Sequence, residues 1–117
     1  MSQPYQEDYK IPTALFTNER YRHMSNNAKM LYVLLIDRME ADMEAEKTEP
    51  GTLKKGKNGA IYINFPAAEV GRLLHVGHST VSRLFKELES ASLIERKRRG
   101  LGKPDDIYVG KIAEAYD

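Results

Sequence analysis

The spacing of apolar positions in the first half of the chain predicts helices. Apolar residues at Ala28–Met39 recur at helical spacing, and Ser25 before them can cap the first turn. This pattern predicts a long helix from Asn26 to about Ala45. Its acidic C-terminal end should fray, because the helix dipole disfavours acids there. The stretch Ile11–Phe16 predicts a short helical turn further upstream.

The second half of the chain alternates between strand and helix patterns. Turn-forming residues at 49–59 predict a loop, and alternating β-branched and aromatic residues at 60–65 predict a strand. Pro66 suits the first position of a helix. That helix presents an apolar stripe of Val70, Leu73 and Leu74, and it ends in a tight turn at His75–Gly77.

The last third of the chain predicts one more helix and a hairpin. At Ser79–Glu89 the apolar residues recur at intervals typical of a helix, as Val81, Leu84, Phe85 and Leu88. Strands are predicted at Leu93–Arg98 and Asp105–Val109, joined by a loop at 99–104. This order of elements predicts an α+β winged helix-turn-helix, with a three-helix core, a small antiparallel sheet and a wing.

Length and composition are consistent with this fold. The 117 residues suit one domain, and the apolar share of 41% and charged share of 30% are ordinary for a globular protein. We expect an N-terminal arm at 1–16 and the winged helix domain at 17–112. The absence of cysteine excludes disulfides and thiolate zinc sites. The chain start lacks a signal-peptide pattern, so we expect a cytoplasmic protein.

The net charge of +1 indicates little, but the distribution of charge is informative. Acids dominate residues 40–49. Residues 96–103 contain no acid and five basic residues, and Lys54, Lys55 and Lys57 form a second basic cluster. Local basic clusters of this kind are typical of nucleic-acid contacts.

The predicted helix at Ser79–Glu89 is the candidate for reading DNA. Its apolar stripe is committed to the core, which leaves six residues facing outward: Ser79, Thr80, Ser82, Arg83, Lys86 and Glu87. The N-terminal outward residues of such a helix contact bases in the major groove. We therefore predict base reading by Ser79, Thr80, Ser82 and Arg83. Taken alone, the pattern also fits a solvated amphipathic helix.

The predicted wing strengthens the interpretation as a DNA-binding domain. Its five basic residues would repel one another without an anionic partner, and a strand pair has no structural need for them. Glycines at 100 and 102 would permit close approach to a phosphate backbone. The residues predicted to contact phosphate are His78, Lys86, Lys97, Arg98, Arg99 and Lys103.

Several motifs that suggest other chemistry do not hold. The segment Gly51–Asn58 nearly matches a P-loop, but Asn58 replaces the required Ser or Thr and the flanking elements are wrong. His75 and His78 lack further zinc ligands. Asp105 and Asp106 are adjacent on a strand, so their side chains point to opposite faces. We therefore expect no catalytic residue, no metal and no cofactor.

An apolar N-terminal segment leaves two interpretations open. Tyr5, Tyr9, Leu15 and Phe16 either pack on their own domain or form a homodimer surface. A dimer would place two recognition helices about 34 Å apart, one turn of duplex.

The chain resembles a known family at two places. The first is Tyr9–Pro12 with Leu15 and Phe16, followed by Leu31, Tyr32 and Leu35–Met39. The second is Leu93–Arg96, followed by Gly100–Pro104 and Ile107–Val109. Both resemble the N-terminal domain of RepA-type plasmid replication initiators, over roughly residues 9–109. The long insert at 40–58 departs from the family pattern.

The resemblance implies a function and partners. It implies dimeric binding to repeated sites in a plasmid origin, which starts plasmid replication. It also implies that residues 113–117 begin a linker to a C-terminal domain that engages host replication proteins. Two other functions remain open on the same fold: a transcriptional repressor, and a protein-interaction module in replisome assembly.

Overall fold

The computed structural model describes residues 8–112. Within this range the chain forms four α-helices, a 3-10 turn and a two-stranded antiparallel sheet. The helices are α1 (Ala14–Thr17), α2 (Asn26–Thr48), α3 (Ala67–Leu74) and α4 (His78–Ser90), and the 3-10 turn is Glu19–Tyr21. The strands are β1 (Ile94–Lys97) and β2 (Asp106–Val109). The predicted linker at 113–117 lies outside the described residues.

The start of α2 follows the prediction, and its end does not. The Ser25 hydroxyl accepts a hydrogen bond from the backbone N–H of Ala28 at 3.1 Å, which caps the helix. The helix continues past the predicted end at Ala45 to Thr48. In the loop after the helix, Gly51 and Leu53 donate hydrogen bonds from their backbone N–H groups to the carboxylate of Glu46, at 3.1 Å and 2.7 Å. An acid in the last turns therefore holds the following loop against the helix.

The predicted strand at 60–65 is reduced to two isolated bridges. Lys55 pairs with Ile61, and the buried Ile63 pairs with Ile107 of β2. The strand pairing stops after Ile63 because Asn64 forms its hydrogen bonds outside a strand ladder. Its carbonyl accepts from Arg38 at 3.1 Å, and its side-chain amide donates to the carbonyl of Asp105 at 2.9 Å. The prediction of a full strand was therefore wrong.

The helix-turn-helix consists of α3, the turn at 75–77 and α4. Pro66 stands one position before α3 and not within its first turn. The chain reverses through His75, which has a left-handed φ of 58°, and Val76 N–H donates to the carbonyl of Gly71 at 3.1 Å. This geometry confirms the predicted tight turn.

The hydrophobic core lies where α2, α3 and α4 meet the sheet. The predicted stripe of α4 is buried throughout, at Val81, Leu84, Phe85 and Leu88. In β1 and β2, Ile94 pairs with Val109 and Lys97 pairs with Asp106, which confirms a hairpin with its loop at 98–105. No helix within residues 8–112 is long and apolar enough to cross a membrane.

One predicted dimerisation residue belongs to this core. Leu15 on α1 is completely buried, so it cannot contribute to an exposed surface. Burial of Leu15 also packs α1 against the domain. Tyr9 and Phe16 remain about half exposed, with relative exposures of 48% and 58%. Tyr5 lies outside the described residues.

Candidate nucleic-acid interface

The outward face of α4 presents the predicted base-reading residues unevenly. His78, Ser79, Arg83 and Lys86 are exposed, whereas Thr80 and Ser82 are half-buried. Within residues 8–112, Arg83 and Lys86 form no ion pair. Their charges are therefore available to an external partner, while the opposite face of the same helix is fixed in the core.

Glu87 also lies on the face that the sequence assigned to the outside, but it has a structural partner. Its carboxylate accepts the backbone N–H of Ser25 at 2.8 Å and the Ser25 hydroxyl at 2.9 Å. This contact joins α4 to the start of α2, across 62 positions of sequence. The sequence pattern contains no signal for it, because the two residues meet only in the folded chain.

The first basic residue of the wing region, Arg96, is a structural residue. Its guanidinium bonds to Glu89 at 2.8 Å, approaches Asp105 at 3.8 Å and lies 4.8 Å over the ring of Phe85. These contacts tie β1 to α4 and leave 21% of the side chain exposed. The expectation that the hairpin has no structural need for its basic residues was wrong for Arg96.

Arg99 has a structural partner as well. It donates to the Asp106 carboxylate at 3.0 Å, and the same carboxyl group accepts from the amide of Asn64 at 3.1 Å. The hydrogen bond to Asp106 raises the pKa of the Arg99 guanidinium above its usual value. Nearly half of the Arg99 side chain is exposed, at 48%, so it can still reach a phosphate. Asp106 bonds to Arg99, whereas Asp105 lies 3.8 Å from Arg96, so the two adjacent acids face different arginines.

Three of the five basic residues remain unpaired with acids in the described part of the chain: Lys97, Arg98 and Lys103. All three are exposed, and the Lys97 ammonium lies 5.4 Å from the centroid of the Tyr108 ring. The loop turns through Gly100 at a φ of 123° and Gly102 at a φ of 78°, conformations that favour glycine. The free charge is thus concentrated around the tip of the wing.

Leu101 at the wing tip was missed by the sequence reasoning. Its side chain is fully exposed, with a relative exposure of 103%. An apolar side chain between two glycines at the end of a basic hairpin has the shape of the wedges that some proteins insert into the minor groove. The signal was present in the sequence, as a leucine in an otherwise polar loop.

The lysine-rich segment of the insert folds beside the sheet. The backbone carbonyl of Lys54 accepts a hydrogen bond from the N–H of Tyr62 at 3.2 Å, and the carbonyl of Ala60 accepts one from the N–H of Gly56 at 2.8 Å. Residues 54–62 therefore form a small hairpin. The ring centroids of Tyr62 and Tyr108 lie 5.6 Å apart, with the two rings tilted at 49°. A Cβ atom added to Gly56 would collide with the Tyr108 hydroxyl, so any other residue at this position would require the Tyr108 side chain to move. Part of the P-loop-like segment thus lies in this hairpin.

The elements and their order define the class of protein. The helices α3 and α4 are joined by a tight turn, are followed by a two-stranded hairpin with a basic tip and pack with the longer helix α2. Together these elements form a winged helix-turn-helix. A family model described as the N-terminus of replication initiator protein A matches residues 7–117. The chain belongs to this family.

Comparisons with individual proteins agree with the family. A protein described as a 41 kDa protein, from Lactobacillus helveticus, is 29% identical over 115 residues, covering 93% of this chain and 30% of the relative. The chain thus spans less than a third of the length of that relative.

Solved structures share the fold at similar identity. A structure of a Rep–DNA complex superposes with a TM-score of 0.70 at 27% identity, covering 94% of this chain and 81% of that one. An N-terminal domain of a DNA binding protein gives 0.68 at 25% identity, with coverage of 98% and 89%. A structure of an MDR initiator gives 0.68 at 26% identity, with coverage of 94% and 83%.

Proposed function

We propose that this chain is a non-enzymatic domain that binds double-stranded DNA in a sequence-specific manner at repeated sites in a plasmid origin, and so initiates plasmid replication. Membership of the replication initiator family and the likeness to a Rep protein solved with DNA support this proposal. The observation that carries it is the exposed face of α4. That face presents Ser79, Arg83 and Lys86 to solvent, with both basic side chains free of ion pairs within residues 8–112.

In the proposed complex, α4 lies in the major groove. Ser79 and Arg83 read base edges, and Arg83 can donate two parallel hydrogen bonds to a guanine. Thr80 and Ser82 are half-buried, so their role is confined to short-range contacts at the floor of the interface. His78 and Lys86 contact phosphates at either end of the exposed face.

The wing adds contacts beside the helix. Lys97, Arg98 and Lys103 contact phosphates, and Arg99 joins them while it remains bonded to Asp106. The exposed Leu101 favours entry of the wing tip into the minor groove over contact with phosphates alone.

The wider assembly is part of the same proposal. The chain acts in the cytoplasm as a homodimer, in which Tyr9 and Phe16 supply exposed apolar surface. A C-terminal domain outside this chain engages host replication proteins. The coverage of only 30% of the Lactobacillus helveticus relative is consistent with a longer natural protein.

Binding of purified protein to an origin repeat and to a scrambled duplex of equal length tests the proposal. The Arg83→Ala variant should lose roughly 1–3 kcal/mol on the origin repeat and much less on the scrambled duplex. Arg83→Lys keeps the charge but loses the paired hydrogen bonds, so it should behave like Arg83→Ala on the repeat.

Two outcomes would contradict the proposal. Equal weakening of both duplexes by Arg83→Ala would remove Arg83 from base reading. If the unaltered chain bound no duplex but retained a protein partner in a pull-down, the domain would be a protein-interaction module instead.

A further inference from the structure

A groove of about 350 Å³ lies beside α4, away from the wing. One wall comes from the 3-10 turn and the residues after it, and the other comes from the C-terminal half of α4. Arg20 and His23 line the first wall, and Arg83 and Lys86 line the second. Met24 contributes apolar surface between the walls. Four basic side chains thus converge on one small groove.

The groove brings together two pairs of basic residues. Arg20 lies in the 3-10 turn and His23 follows the turn in the chain, and both line the first wall. Arg83 and Lys86 are three residues apart on α4 and are therefore neighbours on its surface. The 3-10 turn is held in place by Asn18, whose side chain accepts from the backbone N–H of Arg20 at 2.9 Å.

The groove carries more positive than negative charge. Glu87 is the one acid among its lining residues within residues 8–112, and its carboxylate accepts hydrogen bonds from Ser25 at 2.8 and 2.9 Å. This contact holds the two walls together. Within residues 8–112, Arg20, Arg83 and Lys86 form no ion pair. The neighbouring Arg22 does, because it bonds to Glu19 at 2.7 Å.

We propose that this groove binds one phosphate of the DNA backbone, next to the bases that α4 reads. The inference rests on the proposed function, because Arg83 and Lys86 belong both to the exposed face of α4 and to the groove. When the N-terminal part of α4 lies in the major groove, the strand at the edge of that groove passes its C-terminal part. Arg20 and Lys86 then hold the phosphate from opposite walls, and His23 donates a further hydrogen bond.

The salt dependence of binding tests this site without knowledge of the preferred DNA sequence. The probe is a labelled duplex of about 30 base pairs of random sequence, titrated with the full 117-residue chain between about 50 and 200 mM salt. Arg20→Ala should reduce the slope of log affinity against log salt by roughly 0.9, the value for one lost phosphate contact. Arg20→Lys, which keeps the charge, should restore the slope.

The matched control is Arg22→Ala, which removes the same side chain two positions away but outside the groove. It should leave the slope unchanged, because Arg22 is already paired with Glu19. Thermal melting by circular dichroism should give the same transition for all variants, since Arg20 and Arg22 are both exposed.

The outcomes separate the two proposals. If the unaltered chain binds the duplex and Arg20→Ala leaves its slope unchanged, the phosphate site is wrong and the DNA-binding function stands. An equal loss in Arg20→Ala and Arg22→Ala would also overturn the site, because general positive charge would then be responsible. If the unaltered chain binds no duplex, the proposed function itself fails.

Discussion

The basic side chains of α4 and those of the wing differ in whether they form ion pairs with acids of the same domain. On α4, Arg83 and Lys86 extend from a helix whose other face is buried, and neither has an ionic partner in the described residues. In the wing region, Arg96 and Arg99 bond to Glu89 and Asp106.

This difference shows that a run of positive charge can serve two purposes. Part of the run from Arg96 to Lys103 fastens the hairpin to the domain, and the rest is free for a ligand. Counted by charge alone, α4 is the weaker candidate for the interface. Its basic residues nevertheless form fewer ion pairs within the domain than those of the wing.

Arg96→Ala should have the largest effect, and the effect should be on stability. The substitution leaves the carboxylates of Glu89 and Asp105 without their partner and removes the contact with Phe85, so we expect a loss of about 2 kcal/mol in the free energy of unfolding. Urea denaturation measures it. Lys97→Ala, on the exposed side of the same strand, is the control and should change stability by less than about 0.5 kcal/mol.

A different result would place Arg96 in the DNA interface and not among the stabilising residues. If Arg96→Ala left stability unchanged but flattened the salt dependence of DNA binding, the residue would belong to the interface, and the contrast between α4 and the wing would disappear.

Arg98→Ala and Lys103→Ala should affect binding alone. Each removes one free positive charge, so each should lower the salt slope by roughly 0.9 on any duplex, while stability stays within about 0.5 kcal/mol. Fluorescence anisotropy across a salt series measures the slope. An unchanged slope in both variants would exclude the wing tip from the interface and leave α4 as the main contact.

Protonation of Glu46 should have the smallest effect, because Glu46 lies at the end of α2. Backbone hydrogen bonds from Gly51 and Leu53 lower the pKa of Glu46 below its ordinary value of 4.5. A depressed pKa in the folded state means that the contact stabilises the loop above that ordinary value. The stabilisation is lost as the pH falls through the lower, folded-state value.

Hydrogen exchange at the amides of Gly51 and Leu53 measures this effect. Relative to a reference amide, exchange at these two amides should become faster on acidification, and Glu46→Gln should show faster exchange already at neutral pH. DNA binding by Glu46→Gln at neutral pH should equal that of the unaltered chain. A clear loss of binding would mean that the acidic end of α2 contributes to the interface.

The sequence predicted most elements because local rules determine them. Ser25 was recognisable as a cap, and the stripe from Val81 to Leu88 could only belong to a helix with one buried face. The strand at 60–65 was overestimated, since its β-branched pattern says nothing about where Asn64 finds its hydrogen bonds. The sequence left the role of Leu15 open, because an apolar residue near a terminus looks the same whether it is buried or exposed, and the structure buries it.

The amino-acid sequence by itself determined the class of fold and the helix that is the candidate for reading DNA. Periodicity, caps and turn residues act over a few positions, so they can be recognised in the sequence itself. The tertiary structure alone decided which charges are free. Glu89 meets Arg96 across 7 positions and Ser25 meets Glu87 across 62, and an ion pair or hydrogen bond between such residues depends on distances that only folding sets. For the same reason, the groove that joins Arg20 to Lys86 exists only once α4 has packed beside the 3-10 turn.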